Sequence, residues 1–256
     1  MRTSRHLRDY FDLQLRFAAA ITDRTGRALA NTVACYTNVH RRFGLGILRG
    51  PPSSAAWQHY LQGLLEAPGH EERVTWTVAF HGRCAAETLP PGRHVFGCFA
   101  CDAPDAEGRL RIHFANRDTD GTSPLAADKA ERRRAELGAL FAFVAEAHPR
   151  AQSVRGTSWL YHLEAYRRLF PPEYAASRRA PDGPLHFHGS SSWGQFLDHR
   201  GRVRAEPRAA FQRNLQRLDP DRLREAFPLP VLATTAPVAA FYAHYRRAVG
   251  VPPSGR

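Results

Sequence analysis

The chain has 256 residues, with 36 basic and 24 acidic side chains, a formal net charge of +12, four cysteines and one methionine. That length holds one larger domain or two small ones around a buried core, and 43% hydrophobic with 23% charged residues is the composition of an ordinary globular protein. A disordered chain, a collagen-like repeat and a disulfide scaffold are excluded.

Of the 36 basic residues 35 are Arg and one is Lys129, a ratio that reads as GC-rich codon bias rather than as evidence for a polyanion partner. Residues 1–50 carry 9 basic and 3 acidic groups, residues 51–125 carry 6 and 9, and residues 126–256 carry 21 and 12. An acidic middle between basic ends fits a folded body with a polarised surface. The opening residues 1–10 are charged and lack an apolar run, which predicts no secretory leader. No window reaches the ~18 apolar residues of a membrane span. The expectation is a cytoplasmic bacterial protein without a membrane partner, its cysteines reduced thiols.

Residues 1–66 read as helical. Leu7, Tyr10, Phe11, Gln14, Phe17, Ala18 and Ile21 recur at three- and four-residue steps and give one amphipathic face, closed by Gly26. Leu29, Val33, Tyr36, His40 and Phe43 form a second stripe, stopped by Gly44 and Gly46. A short helix carries Trp57, Tyr60, Leu61 and Leu64.

The pattern then changes. Residues 74–80, Val-Thr-Trp-Thr-Val-Ala-Phe, are rich in β-branched and aromatic side chains and predict a strand. Residues 95–101 predict a second, and residues 110–114 a third that alternates apolar with basic; the turn-rich 102–108 joins these two as a hairpin. Ser123-Pro124 marks a helix start, and Leu137, Leu140, Phe141 and Val144 lie on one side of that helix. Residues 154–161 predict a strand leading into a short helix over 162–170. Residues 185–188 and 193–197 predict two more strands, and helices are expected near 207–218, 222–227 and 238–249. The fold class is α+β, a helical subdomain over 1–70 and an α+β domain over 71–256. Its sheet is expected to be largely antiparallel, with C-terminal helices.

Four motifs invite chemistry. Cys98-Phe99-Ala100-Cys101 has the spacing of a zinc or redox pair, but positions three apart on a strand point to opposite faces, so core packing is the simpler reading and no metal is expected. His186 and His188 would share a strand face, without an acidic partner. Residues 155–168 pack hydroxyls, aromatics, a carboxylate and three guanidiniums into fourteen positions, which suits a pocket wall. There Trp159 would be a platform, Glu164 or His162 a base, and Arg155 or Arg168 an anion contact; Glu164 and Arg168, four apart, could also pair on a helix surface. On the expected strand 193–197, Trp193 and Gln195 share one face, and Gly194 invites close approach by a ligand.

Two resemblances extend this reading. The strings Tyr10–Ala18, Tyr36-Thr37-Asn38 with Arg42–Gly46, Ser158-Trp159-Leu160-Tyr161 and residues 193–198 resemble a family of bacterial proteins that brings no activity with it. Ile112-His113-Phe114, then Ser123-Pro124-Leu125, a helix with Phe141 and Phe143, then Ser158-Trp159-Leu160 is similar to the C-terminal half of GNAT-like acyltransferases. That likeness implies acyl-CoA as cosubstrate, an amine or hydroxyl acceptor, and a V-shaped gap between parallel strands near Ser158. It implies His113 or Glu164 as base, Ser158 and Tyr161 as polar pocket groups, and Arg155 and Arg168 as anion contacts. The family's pyrophosphate loop, Arg/Gln-x-x-Gly-x-Gly/Ala, has a literal match only at residues 41–46, after an expected helix instead of a strand. The alternative expectation is a non-enzymatic module that binds nucleic acid through its arginine clusters, or another protein through its helical front. The chain itself assigns no oligomeric state.

Overall fold

A computed structural model describes residues 7–46, 54–84, 92–182 and 187–248. In chain order the front of the molecule is α1 (Arg8–Thr25), α2 (Leu29–Tyr36), α3 (Val39–Arg42), α4 (Ala55–Glu66) and α5 (His70–His81). Strands β1 (His94–Phe96), β2 (Phe99–Cys101) and β3 (Arg109–Phe114) lead to α6 (Ala130–Ala147) and β4 (Ser153–Ser158). Short helices α7 (Glu164–Arg167), α8 (Pro172–Ala176) and α9 (Ser190–Trp193) precede α10 (Ala205–Gln216), β5 (Leu232–Pro237) and α11 (Val238–Ala248). The protein is α+β.

The chain forms two compact units, both discontinuous. The first takes residues 1–89 and 183–230 and the second residues 90–182 and 231–256, so the divisions fall at 89, 182 and 230 instead of near 70. Composition does not mark these joints, because the segment that returns to the first unit is helical like the front of the chain yet follows the strands.

In the first unit α1 is central. Its buried set includes Leu13 and Leu15 as well as the expected stripe, so apolar packing surrounds much of the helix. Phe17 meets the rings of Phe187, Trp193, Phe211 and Phe227 at 5.4–5.8 Å between centroids. The second stripe breaks at Thr37 and Asn38 into α2 and α3, where Asn38 is buried and held by Gln14 and Tyr10.

Residues 74–80 are not a strand but the body of α5. Val74, Thr77 and Phe80 are its buried positions, three apart, and Trp76 Nε1 donates to the Tyr60 carbonyl at 2.9 Å. Glu71 and Glu72 in the first turn signal a helix start, and packing against α4 outweighs the β propensity of the run. Residues 193–196 are likewise helical, the end of α9 and a 3₁₀ turn over Gly194–Phe196, while Leu197 is extended and bridges Val203; Trp193 and Phe196 are both buried, which is helical spacing rather than alternation. Of the strand expected at 185–188, Leu185 and His186 lie outside the described residues, and Phe187 and His188 are in a turn.

The second unit is built on a five-stranded sheet ordered β1-β2-β3-β4-β5, antiparallel except for the parallel pair β3–β4. The run 95–101 is two strands, because Gly97 at φ 58° reverses the chain between them. The hairpin from β2 to β3 forms as expected. β5 was not anticipated, since Leu-Ala-Thr-Thr-Ala-Pro has weak apolar alternation; it pairs with β4 along its whole length, and that partner makes it a strand. Leu110, Ile112 and Val154 from one sheet face pack with Leu137, Leu140, Phe141 and Val144 of α6 and Phe241 and Tyr245 of α11. No described helix is long and apolar enough to cross a membrane.

Candidate functional site

The site grows from two strands with the same alternation. On β3, Leu110 and Ile112 face the core while Arg111 is exposed and His113 half-buried on the other face. On β4, Val154 and Gly156 face inward, and Arg155 and Thr157 outward. Arg111 and Arg155 are in register across the parallel pair, and Arg155 is in register with the exposed Thr235 of β5. Parallel pairing ends at Arg111 and Arg155, although β3 runs on to Phe114 and β4 to Ser158. The strands therefore part toward their C-terminal ends.

Backbone alternation places hydrogen-bonding groups in this gap. The Arg111 carbonyl accepts from the Asp102 N–H on β2's side, so Ile112 and Phe114 turn their groups toward β4. Ala233 bonds Arg179 on its outer side, which turns Thr234 toward β4, and Gly156, its register partner, toward β5; Thr157 then faces β3. The groups of Phe114 and Thr157 lie beyond the last paired residues.

His113 stands at the lip of the gap. Its Nε2 is 2.6 Å from Asp102 Oδ2, and Asp102 also accepts from Arg93 Nε at 2.7 Å. Burial pushes the imidazole pKa below its ordinary value despite the opposing effect of its hydrogen bond to Asp102. Burial alone would raise the Asp102 pKa, but His113 and Arg93 hold it well below the usual carboxylate range. The two directions set a strongly acidic carboxylate against an imidazole that releases its proton more readily than a free one. With Nε2–H donated to Asp102, Nδ1 carries the lone pair, which is the arrangement of a general base.

The sequence-predicted residues divide among several roles. His113, Arg155 and Ser158 border the gap. The Ser158 hydroxyl accepts from the Leu160 N–H at 3.1 Å and caps the turn Trp159–His162. Tyr161 is buried beneath β4, its hydroxyl 2.7 Å from that of Tyr174, and Trp159 is 9% exposed. Glu164 is exposed and paired with Arg167, three positions on, so the expected pairing with Arg168 is replaced by a closer neighbour on the short α7. Trp193 and Gln195 belong to the first unit. Trp193 lies in its aromatic core, and Gln195 binds the Leu229 N–H at 2.9 Å and the Leu229 carbonyl at 3.1 Å. The residues missed from sequence are Asp102, Arg93 and Arg111. Alternation did put Arg111 beside His113, but only the hairpin register brings Asp102 to them.

Other motifs resolve into packing. Cys101 faces the core, and burial pushes its thiol up to about 11. Cys98 lies in the turn beside Asp118 and Glu136, its thiol also pushed up by burial. A thiol reagent at neutral pH is expected to modify the exposed Cys35 in the folded protein and to leave Cys98 and Cys101 untouched until denaturant is added, as mass spectrometry of the peptides would show. Among the described residues, Asp12, His70 and Glu71 bring ligand atoms close enough for a cation. Arg16 Nε already spans both Asp12 oxygens at 2.9 and 3.0 Å, and Arg8 pairs with Glu71 at 2.7 Å.

The arginine clusters are laced with carboxylates. Arg132 and Arg133 pair with Asp118, Arg134 with Glu131, Arg179 with Asp182, and Arg202 with Asp198. Comparison with models of protein families, with curated proteins and with solved structures found no match to this chain. The fold and the site therefore define it alone: an α+β protein with an Asp–His pair beside a parted parallel strand pair.

Proposed function

We propose that the second unit carries an acyltransferase site of the GNAT-like kind, with acyl-CoA as donor and an amine or hydroxyl as acceptor. The observation that carries this reading is the parting of β3 and β4 beyond Arg111 and Arg155, with His113 at its lip. The strand β3, the helix α6 and the parallel strand β4 follow one another in the order the sequence resemblance implies.

In the reaction, Nδ1 of His113 takes a proton from the acceptor's neutral amine or hydroxyl. The freed electron pair attacks the thioester carbonyl, and the oxyanion meets backbone N–H groups of the gap, Phe114 and Thr157 being the candidates. The carbonyl re-forms, the C–S bond breaks, and the leaving sulfur takes up the proton held by His113. One departure bears on the donor. The start of α6, where a phosphate would profit from free N–H groups, is crowded by Asp118, which holds Lys129 and Arg133.

Calorimetry with acetyl-CoA and longer acyl-CoAs tests the reading, and binding is expected. His113→Gln should keep that affinity and lower turnover about 10²- to 10⁴-fold. Wild-type turnover should rise with pH through a value below the ordinary imidazole pKa and then level off, because only the neutral ring accepts the proton. Absence of binding by every acyl-CoA would overturn the proposal.

A further inference from the structure

Like charges directly opposite one another on neighbouring strands cost stability, so a sheet keeps such a pair only where something else gains. Arg111 and Arg155 are such a pair, in register on adjacent strands about 4.8 Å apart and both exposed. Other arginines in or beside this sheet are treated differently. Arg93 is bound by Asp102, and Arg109 by Asp105 and Glu107. Asp102, the carboxylate nearest Arg111 in register, is occupied by His113 and Arg93. Arg111 and Arg155 form no ion pair among the described residues. The exposed Thr235 flanks Arg155 on its far side and adds a hydroxyl to the row.

We infer that Arg111 and Arg155 form a carboxylate clamp, and that the acyl acceptor is a small aminocarboxylate whose amine lies at His113. The assignment of the amine rests on the acyltransferase reading above; the clamp itself does not. Two guanidiniums side by side offer paired N–H donors to the two oxygens of one carboxylate. His113 is two residues farther along the same face of β3, roughly 6.6 Å from Arg111 along the strand. A molecule a few bonds long can therefore place its carboxylate on the arginines and an N–H against His113 Nδ1. The polarity of the row matches, with donors at Arg111, Arg155 and Thr235 and an acceptor at the imidazole. A hydroxyl acceptor without a carboxylate would leave the two like charges unopposed.

The test uses the full chain and free amino acids, offered one at a time and followed by NMR at the imidazole C–H resonance of His113 and by calorimetry. Acetyl-CoA and inorganic phosphate are titrated separately. At least one amino acid should bind. Its affinity should fall about tenfold or more in Arg111→Gln and in Arg155→Gln, and Arg155→Lys should restore part of it. Both side chains are exposed, and circular dichroism should show the fold unchanged. The Arg111 charge opposes protonation of His113, so R111Q should also raise the His113 pKa, and a carboxylate bound to the wild-type clamp should raise it too. Acetyl-CoA affinity should be the same in all variants. If acetyl-CoA affinity falls instead, the arginines hold the donor's phosphates and the acceptor clamp is overturned. If inorganic phosphate binds more tightly than every amino acid, or no amino acid binds, the carboxylate assignment is overturned. If an amino acid binds through the arginines while no acyl-CoA does, the clamp stands and the acyltransferase reading fails.

Discussion

Replacing Asp118 by alanine is expected to destabilise the folded protein by about 2–3 kcal/mol, read as a lower midpoint in urea with an unchanged slope. The Asp118 side chain is 2% exposed and that of Arg133 is 0%. Arg133 Nη2 reaches both Asp118 oxygens at 2.9 and 3.0 Å, and Lys129 Nζ is 2.8 Å from Oδ2. Removing Asp118 leaves the buried Arg133 with Glu136, 3.0 Å from its Nη1, and Lys129 with Asp120, so the loss is that of one carboxylate from a network in a medium that solvates charge poorly. Asp118→Asn keeps the shape and some hydrogen bonding and should lose less. Burial raises the Asp118 pKa, but hydrogen bonds from Lys129 and Arg133 outweigh it and leave the folded value below the ordinary one. The stabilisation is therefore present above the carboxyl's unfolded pKa, about 3.9, and is lost as pH falls through the lower folded value. Wild type and D118A should converge in strong acid. Equal midpoints at neutral pH would show that Arg133 does not depend on this carboxylate.

Gly156→Ala is expected to cost about 3 kcal/mol, at the upper end for overpacking a core. A Cβ at this position would overlap the hydroxyls of Tyr161 and Tyr174 and come within 2.7 Å of Tyr161 Cζ. Those hydroxyls are hydrogen-bonded to each other at 2.7 Å, and both rings are buried in the core of the second unit. β4 cannot retreat, because β5 pairs with it from Ser153 to Ser158 and β3 holds its first half. Gly156→Val should be worse. Adding Tyr161→Phe to G156A removes one of the overlapping oxygens and should recover part of the loss. A double variant no more stable than G156A would place the strain elsewhere. The residue also flanks the strand gap, so the same overlap predicts weaker acyl-CoA binding by whatever G156A remains folded.

The strand β3 was legible because alternation is a local signal: Leu110 and Ile112 inward, Arg111 outward. The helix α6 was legible for the same reason, through Leu137, Leu140, Phe141 and Val144. His113, Arg155 and Ser158 were selected from sequence and lie at the gap. Local reading failed where a partner decides. Residues 74–80 have strand-like composition but pack as a helix on Tyr60, and residues 193–196 coil because Trp193 and Phe196 must enter one aromatic core. β5 is a strand through its pairing with β4 more than through its own residues.

Composition and periodicity by themselves determined the α+β class, the hairpin of β2 and β3, the central helix α1 and the strand that carries His113. Those follow from the chain's own spacing, which acts over a few residues. Only tertiary structure decided that Asp102 meets His113, that Arg111 stands beside Arg155 with no ion-pair partner among the described residues, and that the strands part beyond that pair. Each of these joins residues brought together by register, and register is set by which faces are buried. The opening charge count is sharpened in the same way. Many of the 36 basic residues are matched by nearby carboxylates, and the two that carry the proposed clamp are distinguished by their place on the sheet.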